Sequence, residues 1–318
     1  MQTVFGLEGA SASLARGGAY AAIGVFDGVH VGHQSLLRMV VEWAAQRGGT
    51  PVVVTFQRHP QLALEGTRPP CITSLRHRLR LFEGLGVGLA LVLNFDERLA
   101  AMSAEDFLRQ VLCERLGARG LALGHDQRFG RGGLGDAALA RRMGGELGLE
   151  VRVAPAVRVA GEVVSSTAVR SAIKAGWLER AAAMLGRPVS ALGTVVRGQG
   201  KGRTLGCPTA NLDLHHELQL PEGVYAGKAQ ASGREHDAVV NIGRRPTFAP
   251  HGLAYLDAEP LVEAHLLDFS GDLYGQELEV RFLKRLREER VFPSAEALKE
   301  QMARDVAQAR RALALGNG

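Results

Sequence analysis

From Tyr20 to about Leu185 the chain alternates short, continuously apolar runs with longer stretches in which apolar residues recur every three or four positions. The runs Ala21 to Phe26, Val52 to Phe56, Leu89 to Phe95 and Leu121 to Gly124 are too short for isolated helices and too uniformly apolar for strands with one wet face. They predict strands of a parallel sheet buried on both sides, with the amphipathic stretches as crossover helices. One such helix carries Leu36, Leu37, Val40, Val41 and Ala44 on a single face and ends near Gly48 and Gly49. Another spans Ala104 to Leu116, with Ser103 as its N-cap and Asp106 as the capping-box partner.

Past Arg187 and Pro188 the pattern changes to short alternating runs, Val224 to Ala229, Ala238 to Ile242, Leu261 to Leu267 and Leu278 to Phe282, separated by glycine and proline turns. This predicts antiparallel strands of a small barrel. The amphipathic segment from about Ala295 to Leu315, capped by Ser294, predicts a helix packed on the barrel. A boundary near Gly186 then gives two domains: an α/β, Rossmann-like parallel-sheet domain over residues 1–186, and a small antiparallel β-barrel with a terminal helix over 187–318.

Composition narrows the class. With 318 residues, 46% of them hydrophobic, the chain is long enough to bury two cores. No run reaches the roughly 20 apolar residues of a membrane span, and Met1 to Ala10 lacks the pattern of a secretory leader. Cys71, Cys113 and Cys207 have neither disulfide nor zinc spacing, which fits a reducing compartment, so a cytoplasmic protein without a membrane partner is expected. The net charge of +5 suits polyanionic substrates, whereas aromatics at 5% are too sparse for a single-strand-binding surface, and no nucleic-acid partner is expected.

The first concentration of chemistry is Gly24-Val25-Phe26-Asp27-Gly28-Val29-His30-Val31-Gly32-His33, between a predicted strand and a predicted helix. There the glycines allow close approach of phosphate, the helix N-terminus offers unpaired N–H groups, and His30 and His33 can donate to phosphate oxygens. A buried histidine pair or a zinc site is the bland alternative, and no third ligand stands at zinc spacing. Ser165, Ser166 and Thr167 read either as a plain N-cap or as a phosphate-facing helix start, with Arg170 one turn on.

The second concentration is Gly198-Gln199-Gly200-Lys201-Gly202-Arg203-Thr204-Leu205-Gly206, running into Cys207-Pro208-Thr209-Ala210-Asn211. Gly198, Gly200 and Gly202 with Lys201 and Arg203 suit a loop folded around phosphate, or simply a long hairpin. Glu263, in an apolar strand, is a candidate general base; the alternative is a glutamate on the outward side of an alternating strand. Arg287 stands in the charged run Arg287-Glu288-Glu289-Arg290-Val291-Phe292, which also reads as a solvated face.

On these residues the chain resembles the bacterial bifunctional riboflavin kinases and FAD synthetases. The H-x-G-H stretch is similar to the nucleotidyltransferase signature, and three further blocks follow in family order: Thr55 to Pro60, Gly124 to Gly130, and Ser165 to Arg170. His59, Asp126, Phe129 and Gly130 match, while Arg58 stands where a proline is usual and Gln127 where an aromatic is usual. The P-T-A-N stretch resembles the riboflavin kinase signature, joined by Gly223 to Ala226, Asn241 to Phe248 and Val262 to Phe269. Cys207 replaces a large apolar residue.

The resemblance implies that the barrel phosphorylates riboflavin with ATP to give FMN. Glu263 would act as base, Thr209 and Asn211 would hold magnesium and phosphate, and Arg287 would contact flavin. The α/β domain would then adenylylate FMN with a second ATP to FAD and pyrophosphate. Its ATP would lie against Gly24, Phe26, Asp27, Gly28, His30, Gly32, His33, Asp126, Ser165, Thr167 and Arg170. Two rivals stay open: retention of one activity only, and a basic barrel that holds RNA beside a regulatory nucleotide site.

Overall fold

The computed structural model describes residues 1–57, 70–198, 206–214, 217, 220–231, 233–244 and 260–314. These pack as two units, one from Met1–Pro70 and Leu75–Ser166, the other from Cys71–Ser74 and Thr167–Gly318.

In the first unit six strands form one parallel sheet: β1 (Gln2–Phe5), β2 (Ala19–Ile23), β3 (Thr50–Phe56), β4 (Leu89–Leu93), β5 (Ala118–Gly124) and β6 (Glu150–Ala154). Their spatial order is β1-β4-β3-β2-β5-β6. Crossovers are made by α1 (Val31–Arg47), α2 (Leu75–Gly84), α3 (Glu97–Ala101), α4 (Ala104–Asp106) and α5 (Ala137–Leu147), with a small hairpin of β7 (Arg158–Val159) and β8 (Glu162–Val163) beyond the sheet. Successive residues of each central strand serve opposite faces. Ala19, Ala21, Ile23, Val52, Val54, Leu121 and Leu123 enter one core, while Tyr20, Ala22, Val53 and Ala122 enter another with Leu37, Val40 and Trp43 of α1. This double burial is why the strands read as unbroken apolar runs.

Some bounds differ from expectation for local reasons. The run expected to reach Phe26 ends as a strand at Ile23, because Phe26 and Val29 take positive φ values of 54° and 40°. Ser103 caps α4, accepting from the Asp106 N–H at 3.0 Å, but the box closes between side chains, with the Ser103 hydroxyl donating to the Asp106 carboxylate at 2.7 Å. The helix then widens into a π-type coil over Phe107–Arg115. Edge strands β1 and β6 escape the hydrophobic pattern: β6 carries Glu150 and Arg152, and Phe5 of β1 is exposed.

The first unit ends at Ser166, the first residue of α6 (Ser166–Lys174); the rest of α6 and α7 (Leu178–Leu185) lead, in the second unit, into a closed antiparallel barrel. Its strands are β9 (Val189–Val196), β10 (Ala210–Asp213), β11 (Gly223–Ala231), β12 (Arg234–Arg244), β13 (Pro260–Leu266) and β14 (Glu277–Arg287), in the order β10-β13-β12-β11-β14-β9. Alternation sends Val262, Ala264 and Leu266, and Val240 and Ile242, into the barrel. The outer wall is partly covered by α8 (Ala295–Ala314), whose Ala309 and Leu313 pack on Ala226, Val239 and Leu286. Ser294 caps α8 through the Ala297 N–H at 3.2 Å.

The segment Cys71–Ser74 belongs to this second unit although it precedes α2 in the chain. Buried Glu217 holds it, one carboxylate oxygen accepting from the Ser74 N–H at 2.9 Å and the other from the Leu192 N–H of β9 at 2.9 Å.

Candidate active sites

The chain leaves β2 toward β3 and leaves β5 toward β6, in opposite directions across the sheet, so a crevice opens above the carboxyl ends of β2 and β5. The segments expected to bind the first nucleotide leave from those two ends. Gly24 to His30 follows β2, and its turn is strained: Phe26, Gly28 and Val29 all have positive φ, which is costly for a β-branched residue such as Val29. Phe26 and Val29 are buried, which holds the turn in place, and the Phe26 ring meets His33 edge-on at 5.2 Å and Phe82 of α2 at 5.7 Å.

His30 is the N-cap of α1, its Nδ1 accepting from the His33 N–H at 3.3 Å. An accepting Nδ1 places the proton of a neutral ring on Nε2, which is then a donor. The two imidazoles stack at 3.6 Å with an 18° interplanar angle. A side chain at Gly32 would bring its Cβ to 3.1 Å from the His30 ring, so glycine is what lets that ring lie against the helix start. Burial first, then His30 and Arg78, hold His33 well below the ordinary histidine pKa, so its ring is neutral at physiological pH. Its Nδ1 is buried without a hydrogen-bond partner among the described residues.

Gln127, the departure from an aromatic, ties the two strand ends together. Its side-chain oxygen accepts from the Gly124 N–H of β5 at 3.1 Å, and its side-chain nitrogen donates to the Ile23 carbonyl of β2. Asp126 is exposed beside His125, 3.5 Å away. Phe129 is buried and pairs with Gly135 through two backbone bonds of 3.1 and 2.9 Å. At the start of α6 the Ser166 hydroxyl donates to the Asp27 carbonyl at 2.9 Å; Ser165 precedes that turn, and Thr167 and Arg170 follow within the helix. Arg58 and His59 lie outside the described residues.

Sequence reasoning missed Arg78. This residue of α2 is 5% exposed, with Nη1 donating to the Val25 carbonyl and 3.5 Å from the Thr55 hydroxyl, and Nη2 donating to the Phe56 carbonyl at 3.4 Å. The available signal was a cation four residues before fully buried Phe82, on the same apolar helix face.

On the barrel, register does the assembling. Glu263 of β13 is paired with Asn211 of β10 on one side and with Asn241 of β12 on the other. Residues in register share a face, so the three form a polar row on the outer wall, opposite Val262 and Ala264. Glu289 extends the row, its carboxylate accepting from Asn241 Nδ2 at 3.5 Å, and burial pushes its pKa up. Asn241 and Glu289 are the further candidates here, and Glu289 was hidden in the charged run.

Asn211 is buried, and its Oδ1 has no partner among the described residues. Gly198 lies so close that a Cβ there would fall 2.3 Å from Asn211 Nδ2, so the glycine loop begins against this amide. His265 fastens the P-T-A-N stretch, its Nδ1 2.8 Å from the Pro208 carbonyl, with half-buried Thr209 following. Gly200, Lys201, Gly202 and Arg203 lie outside the described residues.

Arg287 closes β14 and commits its guanidinium to Asp305 of α8, with Nε and Nη2 within 2.8–3.1 Å of the carboxylate and Nη1 donating to the Glu288 carbonyl at 2.9 Å. It thereby fixes the turn that carries Glu289.

Comparison with known proteins matches a family described as FAD synthetase over residues 13–168 and one described as riboflavin kinase over residues 185–313. Over 293 residues the chain is 40% identical to a bifunctional riboflavin kinase/FMN adenylyltransferase of Pseudomonas fluorescens, covering 92% of each chain. The protein of that name in Bacillus subtilis (strain 168) is 33% identical over 294 residues, 91% of each. A crystal structure described as a macrolide-efflux protein from Streptococcus pneumoniae superposes with a TM-score of 0.81 at 28% identity, covering 98% of this chain and 99% of that one. Among the described residues of this chain no helix is long and apolar enough to cross a membrane.

Proposed function

Since the chain belongs to the family of bifunctional riboflavin kinase/FMN adenylyltransferases, we infer that its two activities are divided between the two constellations just described. The chain phosphorylates riboflavin with ATP to FMN and adenylylates FMN with ATP to FAD and pyrophosphate. We assign the first to residues 187–318 and the second to residues 1–186. The observation that carries the division is that each unit has its own phosphate-suited site: the stacked His30–His33 pair in one, the Asn211–Glu263–Asn241 row in the other.

In the barrel, Glu263 accepts the proton of the ribityl hydroxyl as that oxygen attacks the γ-phosphorus of ATP. Register sets the half-buried carboxylate between two amides in a polar row. The residues at the row's end fit a magnesium ion: an orphaned, buried amide oxygen on Asn211, with the Thr209 hydroxyl two residues before it, is a hard donor set. Thr209 and Asn211 would hold that ion, which when bound neutralises phosphate charge. Gly198, Gly200, Lys201, Gly202 and Arg203 would bind the ATP phosphates, and Arg287 would contact the flavin.

In the sheet domain the FMN phosphate attacks the α-phosphorus of a second ATP. His30, donating through its Nε2–H, and His33 stabilise charge on the α-phosphate and on departing pyrophosphate. Gly24, Phe26, Asp27, Gly28 and Gly32 would shape the backbone against the nucleotide, Asp126 would contact it, and Ser165, Thr167 and Arg170 would receive the outer phosphates. Work in a cytoplasmic, reducing setting is supported by three free cysteines.

Purified protein given riboflavin, ATP and magnesium should form FMN first and FAD afterwards, read by chromatography over time. FMN accumulating without FAD, even when FMN is added directly, would overturn the assignment to the first unit; unchanged riboflavin would overturn that to the barrel.

A further inference from the structure

Building on the adenylyl-transfer reading, we propose that Arg78 is a positioning residue of that site, clamping the Gly24–His30 turn and setting a permanent positive charge that acts on His33. Three observations meet in this one side chain. Its fork reaches the carbonyl of Val25, inside the turn, and the carbonyl of Phe56, at the carboxyl end of the neighbouring strand, with the Thr55 hydroxyl between them. Its guanidinium is buried, a position that costs free energy unless donors are matched, and the Val25 and Phe56 carbonyls each take one of its Nη donors. And the turn it holds contains Phe26 and Val29 at positive φ, a conformation that persists only when its surroundings over-determine it.

The charge has a second consequence. His33 stacks on His30, the cap of its own helix, and meets the uncharged Phe26 ring edge-on, and the Arg78 charge from α2 acts on it. Both charged or titratable neighbours that act on it oppose a proton on its ring. Arg78 therefore supplies positive potential that does not depend on pH, while the imidazole stays a neutral hydrogen-bonding group. Phosphate charge developing during transfer meets a preorganised field, with no proton to be displaced from His33.

The test uses the full chain with Arg78→Met and Arg78→Lys, assaying FMN adenylylation from mildly acid to mildly alkaline pH and riboflavin phosphorylation in parallel. Wild-type conversion of FMN to FAD is the control, and its failure would remove the adenylyl reading itself rather than the role of Arg78. Arg78→Met is expected to lower kcat for adenylylation by about 100-fold, the scale of a misplaced catalytic group, with phosphorylation unchanged. It also moves the acid limb of kcat/KM to higher pH, because losing the cation lets His33 take a proton more readily. Arg78→Lys keeps the charge and loses the fork, so the acid limb returns to its wild-type position while kcat recovers only in part. An acid limb that stays put in Arg78→Met, or one that moves equally in both variants, overturns the proposal. If Arg78→Met fails to fold, Arg78→Lys decides: a shifted limb or a full wild-type kcat defeats it.

Discussion

The two sites are built by different means. In the parallel-sheet unit the chemistry is gathered by the end of one strand, a strained turn and the first turn of a helix, so that His30, Gly32 and His33 sit within four residues of one another. In the barrel it is gathered by strand register, which brings together Asn211, Asn241 and Glu263 from three separate strands. A motif site depends on local backbone conformation, and a register site depends on the whole ladder holding. Damage to the first should therefore be local and damage to the second should spread with barrel stability.

The sharpest break between them is Glu263→Gln, which is expected to lower riboflavin phosphorylation on the order of 1,000-fold, as for loss of a general base, while added FMN is still converted to FAD. His30→Ala should give the reciprocal pattern, and equal loss of both activities in either variant would undo the division. Next is Asp305→Ala, which strands the mostly buried Arg287 and should cost about 3 kcal/mol of barrel stability. Chemical denaturation would then show earlier unfolding together with a raised KM for riboflavin. Gln127→Leu leaves the Ile23 carbonyl and the Gly124 N–H without their side-chain partner, an expected cost of about 1–2 kcal/mol. It should slow adenylylation and spare phosphorylation. The smallest effect concerns acidity. Because His33 has a depressed pKa when folded, the unfolded chain binds its proton first as pH falls. That contribution to stability is complete above the ordinary histidine pKa of about 6.5 and declines below it, so mild acid should lower the Tm of the sheet unit.

What was legible in the sequence follows the same contrast. The parallel sheet announced itself because both of its faces are buried, and α1 did so because Gly48, at φ 64°, ends it where the apolar face ends. The polar edge strands β1 and β6 carried too little apolar signal, as did β10, only four residues long; β9 is apolar enough, but its adjacent apolar pairs Ala191–Leu192 and Val195–Val196 break the alternation. H-x-G-H was readable because its partners are neighbours in sequence. Glu263 was found as a carboxylate in an apolar strand, yet alternation set the outward side against function, when the outer wall is where its in-register amides stand. Glu289 could not be found from the charged run, since what distinguishes it is contact with Asn241 from 48 residues earlier. Arg78 was overlooked among the arginines of its helix, although its spacing to Phe82 marks the buried face.

The hold of Glu217 on Ser74 bears on how this protein can be taken apart. A barrel produced from residue 187 onward would lack the stretch Cys71–Ser74, and one oxygen of a buried carboxylate would lose its donor. Isolated in that way, the kinase half would be expected to express poorly or melt early, for reasons unrelated to its active site. A single cut therefore does not yield two self-sufficient modules; the barrel's missing piece would have to be supplied as a peptide or grafted back by circular permutation.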